Sequence, residues 1–252
     1  MPYFAVADGN NGVNINKLNI GMPCSNIVCA TFNTNLAYEV GRVIAEEAKE
    51  NNIQMILAPA MNIHRNPLNG RHPEYFSEDP YLAGIMPGHQ SKGLEDNGVS
   101  SCTKHAVANN CESARKRNHS IMTERALREI YLKVFEVAIS VHKPDSMMTA
   151  YNAVNGVYTA EDEEMIQGVF RSEFGFDGFV MTDWNSYHTA DVVSAIQAGN
   201  CWITPGSTDN TYVTPIINGV KEGKIDIERL RSNVRYMLRI VQKRTGKDLG
   251  IL

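Results

Sequence analysis

Four short apolar runs of this 252-residue chain each end on residues suited to holding a polar ligand. Asp8 follows Tyr3 to Ala7, and Lys104 with His105 follows Val99 to Thr103. Tyr151 with Asn152 follows Ser146 to Ala150, and Asp183 with Trp184 follows Gly178 to Thr182. Taken singly, each has an ordinary reading. An Asp after a strand caps the next helix, a Lys-His pair sits at a solvated edge, and Arg71, in a long loop, is a surface charge. Taken together they describe a pocket. Carboxylates and cations hydrogen-bond vicinal hydroxyls, and aromatic rings offer apolar faces, a combination that suits a sugar or small polyol.

The elements that must bring these residues together read as repeated βα units. Strand candidates run from Tyr3 to Ala7, Ile27 to Ala30, Ile53 to Ala58, Val99 to Thr103, Ser146 to Ala150, Gly178 to Thr182 and Cys201 to Thr204. Helical periodicity covers Leu36 to Asn51, Glu124 to Val141, Glu161 to Phe174, Tyr187 to Ala198, Tyr212 to Lys221 and Ile227 to Arg244. This alternation predicts an α/β fold with a parallel sheet. The length fits one (β/α)8 TIM-like barrel of roughly 250 residues. In such a barrel all strands open their C-terminal ends on one face, where active sites are built. Seven strands fall one short of closure, so the barrel is expected to be incomplete or to lack its first βα unit. The longest loop, Asn62 to Pro80, is dense in Asn, Pro, Gly, His and charge.

Composition narrows the partners. A formal net charge of −4 argues against nucleic acid, and no apolar run approaches the roughly 20 residues that span a bilayer. Cys24, Cys29, Cys102, Cys111 and Cys201 are odd in number, scattered and without a CxxC pair. Neither a disulfide framework, a metal site nor a cofactor motif is expected, and with no visible secretory signal a reducing, cytoplasmic setting is the expectation.

Beyond this pattern, the stretch Asn62-Ile-His-Arg-Asn-Pro-Leu-Asn-Gly-Arg-His-Pro-Glu-Tyr-Phe-Ser-Glu-Asp-Pro-Tyr-Leu82 resembles the long signature loop of family 3 glycoside hydrolases. Four further pieces follow that family's order: Asp8-Gly9, then Lys104-His105 with Asn109, Glu112 and Arg115, then Met148 to Gly156, and Gly178 to Trp184. The resemblance extends from about Ala7 to about Gly206. It implies a β-glucosidase-type enzyme, a retaining exo-β-glycosidase, with a −1 subsite made by Asp8, Arg71, Lys104, His105, Arg115, Tyr151, Asp183 and Trp184. Asp183 is then the nucleophile, attacking the anomeric carbon to form a covalent glycosyl-enzyme. Lys104, His105 or Arg71 would hold it ionised, Asp8, Lys104 and His105 would grip ring hydroxyls, and Trp184 would pack on the sugar.

The resemblance also exposes an absence. Retaining hydrolysis needs a second carboxyl group about 5 to 5.5 Å from the nucleophile, and in two-domain members of the family that Glu lies in a separate α/β sandwich domain. Single-barrel β-N-acetylhexosaminidases use a loop His instead, but here Lys104-His105 runs on into Ala-Val-Ala-Asn-Asn-Cys. The chain is therefore expected to be one barrel domain, residues 1–252, acting on a small β-glycoside or oligosaccharide. A sandwich domain or second chain would supply the acid/base. A sugar-binding domain without turnover is the alternative, and an aldolase-like barrel using Lys104 as a Schiff base is a third. Asn14 stands where many relatives carry a sugar-binding Arg.

Overall fold

The computed structural model describes residues 3–186 and 190–250. Along the chain run β1 (Val6–Asp8), α1 (Ser25–Ala30), α2 (Thr34–Glu50), β2 (Met55–Leu57), α3 (Leu82–Asp96), β3 (Ser100–Ala106) and β4 (His119–Ser120). A continuous helical stretch follows, α4 (Glu124–Ala126), a π-wound segment Leu127–Leu132 and α5 (Lys133–Val141). Next come β5 (Ser146–Thr149), β6 (Ala153–Val154), β7 (Val157–Tyr158), the π-wound Glu164–Glu173 and β8 (Phe179–Met181). The last elements are α6 (Val192–Ala198), β9 (Asn200–Trp202), α7 (Val213–Lys221) and α8 (Ile227–Thr245).

Six strands form one parallel sheet in the order β1-β2-β3-β5-β8-β9. This is the wall of a TIM-like barrel left incomplete. Both faces of the sheet are apolar, as parallel sheets covered on two sides must be. Ile56, Val99, Met147 and Val180 belong to the core that includes residues of α2, α3 and α5. Their alternates Met55, Leu57, Cys102, Met148, Phe179 and Met181 make a separate interior cluster. The missing strands of a closed barrel would ordinarily cover that interior. Here α8 does so, packing Ile240 with half-buried Tyr236 and Met237 against it; Cys201 and Trp202 join the same cluster.

The end of α8 is fixed by charge. Arg244, 5% exposed, donates to Asp145 Oδ2 at 2.6 and 2.9 Å and to Ser100 Oγ at 2.9 Å. Lys243 Nζ reaches Asp145 Oδ1 at 2.6 Å, while Glu95 at the end of α3 accepts from the Asp145 N–H at 2.7 Å and from Ser101 Oγ at 2.6 Å. Burial pushes the Asp145 carboxyl up, but Arg244, Lys243 and Ser100 outweigh it and hold it below the usual carboxylate range.

Three expectations change. Ile27 to Ala30 is not a strand but part of α1, because Ser25, Val28 and Cys29 are the buried residues, a helical spacing rather than an alternating one. Helix α3 is absent from the periodicity reading because it is buried almost all round and carries Pro87 and three glycines. Those glycines permit contact: a Cβ on Gly93 would lie 2.1 Å from the Tyr38 carbonyl of α2, and one on Gly41 of α2 would lie 2.2 Å from the Gln90 carbonyl of α3. Strands β4, β6 and β7 form a second small sheet, too short to leave a pattern. The expected helix from Tyr187 begins in residues 187–189, outside the described residues; its remainder is α6, capped by Asp191 accepting from the Ser194 N–H at 2.8 Å.

Arg244→Met should lower unfolding free energy by about 3 kcal/mol, the low end for breaking a buried ion pair because Lys243 still reaches Asp145. Asp145's depressed pKa gives stability that is present above the ordinary carboxylate pKa and lost as pH falls through the folded value. In urea titrations the deficit of Arg244→Met should therefore shrink below about pH 4. Gly93→Ala should destabilise as well, because overpacking costs of about 1–3 kcal/mol exceed the roughly 1 kcal/mol that Ala gains over Gly in a helix. A thermal melt showing Gly93→Ala more stable than the parent would contradict this packing.

Candidate functional site

At the C-terminal rim of the sheet, β1 and β3 deliver the first pair. Lys104 Nζ donates to Asp8 Oδ1 at 2.7 Å, with the lysine side chain 5% exposed and the aspartate 56% exposed. On a regular strand Lys104 and His105 would face opposite sides. The register shift between Lys104 and Ala106 breaks that alternation, as bulges do when they re-aim side chains. Asn62 fixes the result, accepting from the His105 N–H at 3.0 Å and donating to the His105 carbonyl at 2.8 Å.

His105 joins the signature loop to β8. Its Nε2 lies 3.2 Å from Arg71 Nη2 and 3.7 Å from Asp183 Oδ2. Burial first, then the charges of Arg71, Lys104 and Arg115, push its pKa well below the usual value. This environment favours the neutral ring. Because Arg71 can only donate, Nε2 of the neutral ring accepts from it, while Nδ1 is buried without a hydrogen-bond partner among the described residues. Of the three residues expected to hold Asp183 ionised, Lys104 and Arg71 are the cations that lower its pKa.

Asp183 is 7% exposed. Its Oδ1 accepts from the Trp184 N–H at 2.6 Å, while Oδ2 is buried without a hydrogen-bond partner among the described residues. Burial raises its pKa; the Trp184 N–H, Lys104, Arg71 and Tyr151 oppose the rise without cancelling it. Lys104 and Arg71 thus act in the expected direction, yet desolvation prevails.

The remaining expected residues flank this centre. Arg115 lies with its guanidinium 4.7 Å from the centre of the Tyr151 ring and pairs with Glu112 at 2.9 Å. The Tyr151 hydroxyl donates to the Trp184 carbonyl at 2.5 Å. Trp184 itself is half-buried against the interior cluster. Asp8, Lys104, Arg71, His105 and Asp183 are thus linked by direct contacts and chain adjacency, with Arg115, Tyr151 and Trp184 joined through Glu112 and the Trp184 backbone.

Sequence reasoning missed the groups that hold Arg71. Glu74 pairs with its Nε, and Glu112 Oε1 lies 3.6 Å from its Nη1. Burial disfavours the Arg71 charge, but Tyr75, Glu74 and Glu112 more than offset it and raise its pKa. Asn10 braces the same group, donating to Glu74 Oε2 at 2.8 Å while accepting from the Ala60 N–H at 2.7 Å. The signal was present: an Arg in the interior of an apolar-walled rim needs carboxylates, and Glu74 stands three residues on. A cavity of about 590 Å³ opens beside the rim, lined in part by Asp8, Arg71 and Lys104. Among the described residues, no group of three or more His, Cys, Asp or Glu side chains could hold a metal ion.

Comparison with known proteins agrees with this architecture. The sequence profile of the glycosyl hydrolase family 3 N terminal domain matches residues 1–240. β-Glucosidase B of Emericella nidulans is 38% identical over 248 residues, covering 96% of this chain and 29% of that protein. A probable β-glucosidase I of Neosartorya fischeri is 42% identical over 214 residues, covering 82% of this chain and 25% of that protein. Among solved structures, β-glucosidase 3B from Thermotoga neapolitana in complex with glucose superposes with a TM-score of 0.92 at 41% identity, over 98% of this chain and 36% of that one. The chain thus spans about a quarter to a third of its relatives' length. With its fold, its signature loop and this profile in agreement, the chain belongs to glycosyl hydrolase family 3, as a β-glucosidase-type N-terminal domain.

Proposed function

We propose that this chain is the nucleophile-bearing part of a retaining exo-β-glycosidase that hydrolyses terminal non-reducing β-D-glucosyl residues. The observation that carries the reading is the Asp183 carboxylate, buried at the rim with one oxygen held by the Trp184 N–H and the other unpartnered. An anchored carboxylate with a free lone pair is what attack on an anomeric carbon requires. The named β-glucosidases among its relatives, one of them a glucose complex, support glucose as the sugar.

Asp183 Oδ2 attacks C1 as the C1–O bond to the aglycone breaks, and the leaving oxygen takes a proton from a general acid. The resulting glycosyl ester is then hydrolysed by water, which the same acid, now a base, deprotonates. Lys104 and Asp8 hold ring hydroxyls, Arg71 and His105 border the reacting face, Arg115 braces Tyr151, and half-buried Trp184 packs on the sugar. Glu74 and Glu112 are occupied with Arg71 and Arg115. The acid/base is accordingly assigned to an α/β sandwich domain or second chain outside residues 1–252.

The complete protein that carries this chain, incubated with a 2-deoxy-2-fluoro-β-glucoside, should acquire the label on Asp183; labelling of another residue, or none, would sink the assignment. Asp183→Asn should lower turnover roughly a thousandfold or more. It should also raise the melting temperature: a carboxyl whose folded pKa exceeds its unfolded one loses stability as pH rises between the two, so removing its charge at neutral pH is stabilising. A fall in melting temperature would show that the ionised group is stabilised by its surroundings instead.

Because Lys104 lowers the Asp183 pKa, Lys104→Met should move the acid limb of kcat/KM to higher pH, in addition to weakening binding. The pH profile measured with nitrophenyl glucoside decides this. An unmoved limb would mean that Lys104 acts on substrate alone.

A further inference from the structure

The segment after β3 carries Asn109, Glu112 and Arg115 in one short run, and Glu112 has no part in the chemistry assigned above. Its two oxygens are divided. Oε2 accepts from Arg115 Nη1 at 2.9 Å, three residues on. Oε1 turns the other way, accepting from Asn109 Nδ2 at 3.3 Å and lying 3.6 Å from Arg71 Nη1 of the signature loop. Asn109 also donates to the Tyr75 hydroxyl at 3.0 Å, so both loops fix the aim of Oε1. Glu74 pairs with Arg71 alone, and among the described residues no carboxylate besides Glu112 pairs with both arginines.

Both arginines lead to Asp183. The titratable groups that face its carboxyl are Lys104, Arg71, Tyr151 and His105, and Arg71 and Arg115 both act on His105 and on Tyr151. The Arg115 guanidinium lies 4.7 Å from the centre of the Tyr151 ring, with Lys116 Nζ at 5.2 Å, and the Tyr151 hydroxyl donates to the Trp184 carbonyl next to Asp183. Two guanidiniums on loops that share a rim repel one another. A carboxylate between them has two effects. It fixes each by a charge-assisted contact, and it offsets part of the positive potential that would otherwise reach Asp183 and strip the nucleophile of basicity.

We propose that Glu112 is a positioning residue, a shared counter-ion that sets Arg71 and Arg115 relative to one another and screens their charge from Asp183. It acts through the two arginines rather than by touching the sugar. The inference rests on the proposed function and adds to it the group that balances charge around the nucleophile.

The test is the pH profile of kcat/KM for nitrophenyl β-glucoside, measured on variants of the complete protein. Glu112→Gln keeps the shape and one acceptor but removes the charge, leaving the arginines less opposed. The Asp183 carboxyl then ionises more readily, so the acid limb should move to lower pH by about half a unit, opposite in sign to the shift expected of Lys104→Met. Arg115→Met removes a cation and leaves Glu112 to Arg71 alone, and should move the limb to higher pH. The double variant, which loses one charge of each sign, should bring the limb back close to the parent's. Glu112→Ala frees both arginines and should cut kcat/KM roughly a hundredfold, as misplacement by about 1 Å does. Activity lost in Glu112→Gln with the limb unmoved overturns the proposal, because a merely structural support would do that. A limb moved to higher pH in Glu112→Gln overturns it also, since the freed arginines would then have swung away from Asp183. If Glu112→Ala does not fold, Glu112→Gln and Arg115→Met decide by the opposite signs of their shifts. A parent protein that does not turn over the glucoside removes the glycosidase reading itself.

Discussion

Arg244 is the constraint on which the architecture turns. Its guanidinium, 5% exposed, joins the last turn of α8 to Asp145 before β5 and to Ser100 at the start of β3, and it lies 3.5 Å from Glu95 of α3. Six strands do not close a barrel, so the interior cluster of Met55, Leu57, Cys102, Met148, Phe179 and Met181 would face water without a cover. Apolar burial drives α8 onto that surface, but burial is non-directional. The charged contacts at one end select where along the sheet the helix stops. They are buried and multiply hydrogen-bonded, the condition under which an ion pair in a low-dielectric interior offsets its own desolvation.

Stability and chemistry are thereby placed at opposite rims. Where the strands begin, the buried carboxylates Asp145 and Glu95 share cations: Asp145 with Arg244 and Lys243, and Glu95 with Arg244 at 3.5 Å and Lys243 at 3.6 Å. Where they end, the pairing is deliberately unequal. Asp8 and Lys104 satisfy one another, Arg71 is committed to Glu74 and Glu112, and Asp183 is left with one unsatisfied oxygen beside an uncharged imidazole. The same dielectric argument that makes the first rim firm leaves the second under-satisfied, with a buried carboxylate whose pKa is raised.

The parallel sheet was legible because six of the apolar runs end on polar residues or turns and alternate with amphipathic stretches, and the rim residues Asp8, Lys104, His105, Tyr151 and Asp183 could be read from the same punctuation. What was illegible has specific causes. Helix α3 exposes little beyond the Lys92–Asp96 pair and buries polar Gln90, Ser91 and Glu95 beside its apolar residues, which blurs its period, and its glycines read as breakers although they are the close-contact surface. The α1 run Ile27 to Ala30 is too short for alternation and helix period to differ by more than one residue. The shift of His105 depends first on burial and then on Arg71 and Arg115, which reach it from other segments, as well as on its neighbour Lys104, information no local window contains in full. Glu74 was visible as a letter in a motif, but its commitment to Arg71 is a tertiary fact.

The signature loop shows why a sequence motif can be long without containing regular structure. Between Asn62 and Leu82 there is only a short 3₁₀ turn, His72–Glu74, and an unpaired loop of this length would ordinarily be mobile. Here its own polar side chains replace a ladder. Asn69 accepts from the Arg71 N–H at 3.1 Å, the His64 N–H donates to the Ser77 carbonyl at 3.1 Å, and His64 stacks on His72 with ring centres 4.2 Å apart. Tyr75, fully buried, accepts from Asn109 at 3.0 Å, tying the loop to the segment that carries Glu112 and Arg115. Each of these residues removes freedom from Arg71, whose long side chain would otherwise lose about 2 kcal/mol of rotamer entropy on meeting a ligand. The motif is long because a rigid arginine on a loop has to be built from the loop's own hydrogen bonds.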